Sequence, residues 1–329
     1  MGIKIVSTGS YLPKKIVPDD FFDNLFDLES GTTFNKSGVK NRHYVNDETQ
    51  VDMAVYASEQ AIQKAGINKS SIDCIISCGG VAQQLIPCTA SLIQKGLDLG
   101  KSGIACFDVN STCLGFVTAL DIASALIETN RYNRILLAAS DIASVGIDYT
   151  DFKSCILFGD GAAAAIVEKS SGNDTSKILK YNLKTYSTGS EYACIKGGGT
   201  LLHSTKYCKE NEKDYLFHMD GMKLYEIASK KLGSIIDNTL KECNLTMNDI
   251  KLIVPHQASS MSMRLLQKKL KVPNEKFMYN IENVGNTISS SIPIAFDCAL
   301  EKDLIKRGDK IMFVGTSAGL SIGVMIFEY

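Results

Sequence analysis

Three side chains in this 329-residue chain have the type and setting for chemistry: a cysteine, a histidine and an asparagine. Cys113 lies in Asp108-Val-Asn-Ser-Thr-Cys113-Leu-Gly-Phe-Val. An apolar strand ends near Val109, the polar turn Asn110-Ser111-Thr112 follows, and an amphipathic helix starts at about Cys113. A sulfur at that point meets the positive end of a helix dipole, which favours thiolate. The free N–H groups of the first helical turn are available to hold an oxyanion. The arrangement is a nucleophile elbow in sulfur form. The competing use of the same residue is a buried structural thiol, and the segment alone does not choose between them.

His256 lies in Val254-Pro-His-Gln-Ala-Ser259, just past an apolar strand and just before a helix. That places an imidazole at the carboxyl edge of a sheet, where open α/β sheets build their sites; the other use is a surface loop with no role. His43, His203 and His218 stand in polar or loop contexts and receive no chemical role. Asn286 follows Gly285 and precedes a helix rich in small residues, in Asn283-Val-Gly-Asn-Thr-Ile-Ser-Ser-Ser-Ile-Pro293. It is either a helix cap or a neutral donor aimed into a site. Two glycine turns complete the set, Phe158-Gly-Asp-Gly161 and Val314-Gly-Thr-Ser-Ala-Gly319. Neither is a P-loop or a dinucleotide fingerprint, and no Cys or His cluster has zinc spacing. No metal and no permanently bound cofactor are expected.

The elements that must position these residues alternate. Strands are predicted at Gly2–Thr8, Cys74–Cys78, Ile104–Val109 and Ile135–Ala139. Helices are predicted at Asp52–Ala65 with Asp52 as its cap, Thr89–Leu97, Cys113–Glu128 and near Thr150–Phe158. The later part repeats the theme: helix Gly221–Cys243, strand Leu252–Pro255, helix Ser259–Leu270, a short strand Lys276–Tyr279, helix Thr287–Leu300, and strands Lys310–Val314 and Ser321–Phe327. The pattern predicts an α/β layered fold with a largely parallel sheet. It divides into residues 1–170, carrying Cys113, and residues 171–329, carrying His256 and Asn286. A polar stretch, Ser187–Asp214, reads as a long surface loop.

Composition narrows the class. Apolar residues make up 45% and charged residues 22%, with a net charge of −1, which gives ample core and no electrostatic footprint for nucleic acid or an anionic membrane. No apolar run reaches the roughly 18 residues of a membrane span. The opening Met1-Gly-Ile-Lys-Ile-Val reads as a strand and lacks the parts of a signal peptide. The ten cysteines, many inside apolar elements, fit a reducing compartment. A cytoplasmic protein is expected.

The motifs in order, Ser111-Thr-Cys113-Leu-Gly-Phe, Phe158-Gly-Asp-Gly, Val254-Pro-His256-Gln-Ala and Gly285-Asn286-Thr, resemble those of β-ketoacyl-acyl-carrier-protein synthase III. The resemblance runs from Gly9-Ser10-Tyr-Leu-Pro, through Glu48-Thr49, to the glycine turn before the last strand. It implies a thiolase-like fold, five layers α-β-α-β-α from two related halves, and a homodimer. It implies acyl transfer to Cys113 from acyl-coenzyme A or an acyl-carrier protein, then decarboxylative Claisen condensation with a malonyl-carrier protein to give a 3-oxoacyl product. His256 and Asn286 would hold the malonyl thioester carbonyl, and the backbone N–H groups of Cys113 and Ala318 would form the oxyanion hole. Members of that family carry Trp-Ile-x-x-Arg-Thr-Gly-Ile, whose Trp and Arg help hold coenzyme A. Here the stretch is Thr32-Thr-Phe-Asn-Lys36-Ser-Gly-Val39, the chain has no Trp, and Phe152 stands where a second family Arg is found. Ser317-Ala318-Gly319 replaces a Gly-Gly-Gly pattern. The loop Cys194-Ile-Lys-Gly-Gly-Gly-Thr is a further difference, and resembles divergent subgroups of specialised or biotin-related synthesis. The alternative is thus a related acyltransferase that moves the acyl group without decarboxylation, or one with a non-acetyl primer. An acidic carrier protein would need a basic patch, for which Arg264, Lys268, Lys269 and Lys271 are the predicted cluster, unless they form an ordinary solvated helix face.

Overall fold

A computed structural model describes residues 2–329. The two principal sheets divide along the chain. The first has five strands in the spatial order Ile3–Tyr11, Gly161–Lys169, Arg134–Asp141, Cys74–Ser77 and Ala105–Asp108. The second has four, in the order Leu252–Pro255, Lys310–Ser317, Ser321–Glu328 and Lys177–Thr185. Neither sheet is largely parallel. In each, the strands that bear the site run parallel, while Ile3–Tyr11 and Gly161–Lys169, and likewise Lys177–Thr185 and Ser321–Glu328, pair antiparallel. Strands Lys310–Ser317 and Ser321–Glu328 are also antiparallel, joined by a hairpin between Ser317 and Ser321, whereas parallel neighbours need a long crossover.

Side chains along each strand alternate between two cores, as a period of two requires. Cys74, Ile76, Ile135, Leu137, Ala165 and Val167 face one core, while Ile75, Leu136, Ala138, Ala164 and Ile166 face another. The second sheet contributes Phe313, Met325 and Phe327 to the first of these cores and turns Met312, Val324 and Ile326 to a third. The shared core lies between the sheets and contains helices Gly115–Glu128 and Ser291–Glu301. Helices Gln50–Ala65 and Thr89–Gly96 cover the outside of the first sheet, and Gly221–Glu242 and Ser260–Leu270 the outside of the second. The order of layers is α-β-α-β-α.

Several boundaries move for identifiable reasons. Helix Gln50–Ala65 is capped by Thr49, and Asp52 is its reciprocal partner in a capping box. The helix predicted from Cys113 begins at Gly115, after a separate 3₁₀ turn Thr112–Leu114. The helix predicted from Thr287 begins at Ser291, after the 3₁₀ turn Ile288–Ser290. Lys276–Tyr279 is no strand: Phe277 makes a single bridge to Ile253 after the 3₁₀ turn Asn274–Lys276. The stretch 187–214 contains 3₁₀ turns and a two-residue strand.

The halves are tied by buried polar contacts as well as by apolar packing. Asp297, on helix Ser291–Glu301, accepts hydrogen bonds from Thr8 Oγ1 and Ser10 Oγ, both at 2.6 Å, and an ion pair from Lys64 at 3.2 Å. Removing an acceptor from two hydroxyls in this seam leaves them unpaired. Asp297→Ala is therefore expected to lower the unfolding free energy by about 2–4 kcal/mol, measured as a lower urea midpoint at unchanged slope.

Candidate active site

Cys113 is the middle residue of the 3₁₀ turn Thr112–Leu114. The turn is set by Thr112, whose φ of 46° is unusual for a β-branched residue, and by the Asn110 side chain, which accepts from Thr112 N–H at 2.9 Å. Gly115 must be glycine: a Cβ there would lie 2.2 Å from the Cys78 carbonyl oxygen. The nucleophile's turn is thereby pressed onto the end of strand Cys74–Ser77. Burial, with the nearby Asp141 carboxylate second, pushes the Cys113 thiol up to about 12, and the N–H groups of Cys113 and Ala318 offset only part of that rise. The sulfur sits before the α-helix proper, inside a packed seam, so desolvation outweighs the helix dipole. The same two N–H groups, of Cys113 and Ala318, face the sulfur.

His256 is buried at the end of strand Leu252–Pro255, with its backbone N–H bonded to Val314 O at 2.8 Å. Its Nδ1 is 2.6 Å from Ser291 Oγ, which also receives the Gln257 N–H at 3.4 Å. With that N–H donated to the serine oxygen, the hydroxyl hydrogen is free to be donated to Nδ1. In the tautomer where Ser291 donates to Nδ1, Nε2 carries the ring proton and is the remaining donor. Burial lowers the imidazole pKa to about 4, so the ring is a neutral donor near pH 7. Gln257 fixes the loop by donating to Pro255 O and Met278 O and accepting from the N–H groups of Asn280 and Ile281.

Asn286 is 6% exposed. It is not a helix cap in the simple sense, although its Oδ1 accepts from Ile288 N–H at 3.0 Å. Its backbone pairs with the Phe158-Gly-Asp-Gly turn: Asn286 N–H donates to Leu157 O at 2.8 Å, and Gly159 N–H donates to Asn286 O at 3.1 Å. A Cβ on Gly159 would lie 2.2 Å from the Val284 carbonyl oxygen. Asp160 anchors the turn by accepting from Val45 N–H, Ser144 N–H and Ser144 Oγ. The glycine turn read from the sequence is thus a holder for Asn286. Asn286 Nδ2 reaches Ala258 O at 3.3 Å, beside His256. The second glycine turn has a matching use: a Cβ on Gly315 would lie 2.7 Å from His256 Cβ and 3.3 Å from Leu114 Cδ2. Gly315 is the close-approach point between the turn of Cys113 and the histidine.

The structure therefore brings Cys113, His256, Asn286 and Ala318 to one seam between the two sheets. It leaves His43 on Pro13 O, His203 on Thr205, and His218 exposed in a two-residue strand. Sequence reading missed Ser291 and Gln257, because small hydroxyls and amides carry no pattern until a partner 35 residues away is placed beside them. Of the positions that depart from the family, Phe152 packs edge-on against Phe26 at 5.1 Å, Thr32 Oγ1 donates to Glu29 O, and Lys36 is exposed. Lys269 donates to Ser229 O at 2.7 Å across to helix Gly221–Glu242, and Lys268 stands with it in the last turn of helix Ser260–Leu270.

A thiolase-like fold with a cysteine, a neutral histidine and an asparagine in its seam defines the class of condensing enzymes. The sequence matches the family model described as 3-oxoacyl-[acyl-carrier-protein] synthase III over residues 107–187, and that of its C-terminal part over residues 240–329. It is 33% identical to β-ketoacyl-[acyl-carrier-protein] synthase III of Vesicomyosocius okutanii, covering 99% of this chain and 98% of that one. It is 35% identical to the protein of the same name from Aliarcobacter butzleri, covering 98% and 96%. The solved 3-oxoacyl-[acyl-carrier-protein] synthase III of Aquifex aeolicus superposes with a TM-score of 0.90 at 30% identity, over 100% of both chains. The chain belongs to the β-ketoacyl-acyl-carrier-protein synthase III family, and is an acyl-transferring condensing enzyme.

Two measurements test the site's geometry. Alkylation of Cys113 by iodoacetamide, followed by intact mass, should still be rising above pH 9; a plateau near pH 7 would show a thiolate the structure does not favour. Gly159→Ala should displace Asn286 and lower condensation turnover by about tenfold or more, read under saturating substrate in a variant whose thermal midpoint is checked alongside.

Proposed function

We propose that Cys113 accepts an acyl group from a thioester donor and that the acyl-enzyme then condenses with a malonyl thioester on acyl carrier protein, releasing carbon dioxide and a 3-oxoacyl-carrier protein. The observation that carries this reading is the pairing of a buried, neutral imidazole with the Asn286 amide beside a cysteine flanked by two backbone N–H groups. In the first step the Cys113 sulfur bonds to the acyl carbon, the donor's C–S bond breaks, and the thiol proton leaves with the donor thiol. In the second, the bond from the malonyl carbon to its carboxylate breaks. Its electrons pass to the thioester oxygen, which receives hydrogen bonds from His256 Nε2 and Asn286 Nδ2. The resulting carbon nucleophile attacks the acyl carbonyl, whose oxygen turns to the N–H groups of Cys113 and Ala318. Expulsion of the Cys113 sulfur completes the cycle with uptake of one proton. Two neutral donors suit an enolate oxygen, which favours condensation over transfer alone.

The substrates are then an acyl-coenzyme A or acyl-carrier protein and a malonyl-carrier protein. A homodimer is supported by the partly exposed edge strand Ala105–Asp108 and by Leu85 and Ile86, exposed by 73% and 85%. A reducing, cytoplasmic setting is supported by ten free thiols, several of them fully buried. The division at 170/171 is supported by the sheets, since no strand of one sheet lies in the other's part of the sequence. For carrier-protein docking, Arg264 is the member of the basic cluster not assigned to the last turn or C-cap of its helix.

Incubation with acyl-coenzyme A or acyl-carrier protein should give a mass adduct that Cys113→Ala abolishes. Carbon dioxide release from malonyl-carrier protein should fall about 10²–10³-fold in His256→Ala and in Asn286→Ala, as for loss of an oxyanion donor. Absence of an adduct with every donor would refute the reading.

A further inference from the structure

Asp141 is fully buried, ends strand Arg134–Asp141, and has no part in the steps above. Its carboxylate receives four hydrogen bonds, two on each oxygen. Oδ1 accepts the N–H groups of Gly80 and Val81, at 2.8 and 3.0 Å. Oδ2 accepts the N–H of Ser289 at 3.0 Å and the Ser289 hydroxyl. The first pair belongs to the loop behind the nucleophile: a Cβ on Gly80 would lie 3.4 Å from Thr112 Cα and 2.7 Å from Ile288 Cγ2. The second pair belongs to the 3₁₀ turn Ile288–Ser290. That turn sits between Asn286, whose Oδ1 is held by Ile288 N–H, and Ser291, whose hydroxyl holds His256.

We propose that Asp141 is a positioning residue for the condensation half of the reaction: through Ser289 it pins the turn that aims both Asn286 and, by way of Ser291, His256. The proposal rests on the roles given above to Cys113, His256 and Asn286. One carboxylate from the first sheet thus sets the donors carried by the second half, and the distance over which a donor acts leaves little tolerance for drift.

The two sides of the carboxylate make this separable from a general structural clamp. In Asp141→Asn the new amide NH2 group must face one pair of donors. Toward Gly80 and Val81 it would confront two backbone N–H groups, neither of which can turn. Toward Ser289 it would confront one, because the hydroxyl can rotate to accept. The amide therefore keeps the nucleophile side and loosens the Asn286 side. Ser289→Ala loosens the same side more gently, removing the hydroxyl and leaving every backbone bond.

The test measures two half-reactions in the full chain: adduct formation at Cys113 by intact mass, and carbon dioxide release from malonyl-carrier protein, with the KM for malonyl-carrier protein. In Ser289→Ala, which leaves the Asp141 charge in place, adduct formation should stay within about twofold, while the turnover number for carbon dioxide release falls about tenfold or more. In Asp141→Asn, which removes a charge that raises the Cys113 thiol pKa, adduct formation should hold or rise while carbon dioxide release falls by the same factor. Equal losses in both half-reactions, or no loss in either, would overturn the proposal. If Asp141→Asn does not fold, Ser289→Ala decides by the same criteria. Asn286→Ala run in parallel separates the two levels. If it retains full carbon dioxide release, the donor roles fail and this proposal with them. If it loses release while Ser289→Ala does not, only the proposal fails.

Discussion

A buried imidazole that must stay neutral is the constraint around which the site is built. An exposed His256 would titrate near 6.5 and, in the condensation proposed, would present a partly cationic ring to the substrate carboxylate. Burial moves it to about 4, and Ser291 supplies the one hydrogen bond that fixes the ring. The folded chain pays for this in acid. Between about pH 6.5 and 4 the unfolded chain binds a proton at this ring that the folded chain refuses, so this group's contribution weakens folding as pH falls through that range. Asp141 acts in the opposite sense: burial raises its pKa to about 7 against its four donors, so its contribution weakens folding as pH rises from about 4 to 7.

Both groups are buried because the site occupies the seam between two sheets. The central helices Gly115–Glu128 and Ser291–Glu301 are enclosed on both faces. Each begins after a 3₁₀ turn that carries or adjoins a site residue. Close approach there requires residues without a side chain, and Gly115, Gly159 and Gly315 fill those places against Cys78 O, Val284 O and His256. Tight packing of this kind holds donors at fixed distances without spending hydrogen bonds on flexible loops. The same packing raises the thiol pKa of Cys113, which the site offsets in part with two backbone N–H groups.

Strand Leu252–Pro255 and helix Ser260–Leu270 were readable from periodicity alone, and the helix pattern after Cys113 was misread only by its first turn. The antiparallel strands Gly161–Lys169 and Lys177–Thr185 were less legible. The first is a run of alanines buried on both faces, with no alternation to detect. The second is half-exposed and rich in lysine. Lys276–Tyr279 looked like a strand because Phe277, Met278 and Tyr279 are apolar or aromatic, yet its ladder is one bridge long.

The sequence by itself determined which residues carry chemistry and in what order, because strand-to-helix boundaries and glycine turns are local and written in neighbouring residues. It also determined the family, through four short motifs spread along the whole chain. Tertiary structure alone decided the state of each group. The thiol is raised, not lowered, because the surrounding core desolvates it and, second to that, Asp141, 28 positions away, acts on it through space. The imidazole is held at Nδ1 by Ser291 Oγ, 35 positions along the chain. Protonation and aim depend on burial and on partners distant in sequence, and these exist only once the chain has folded.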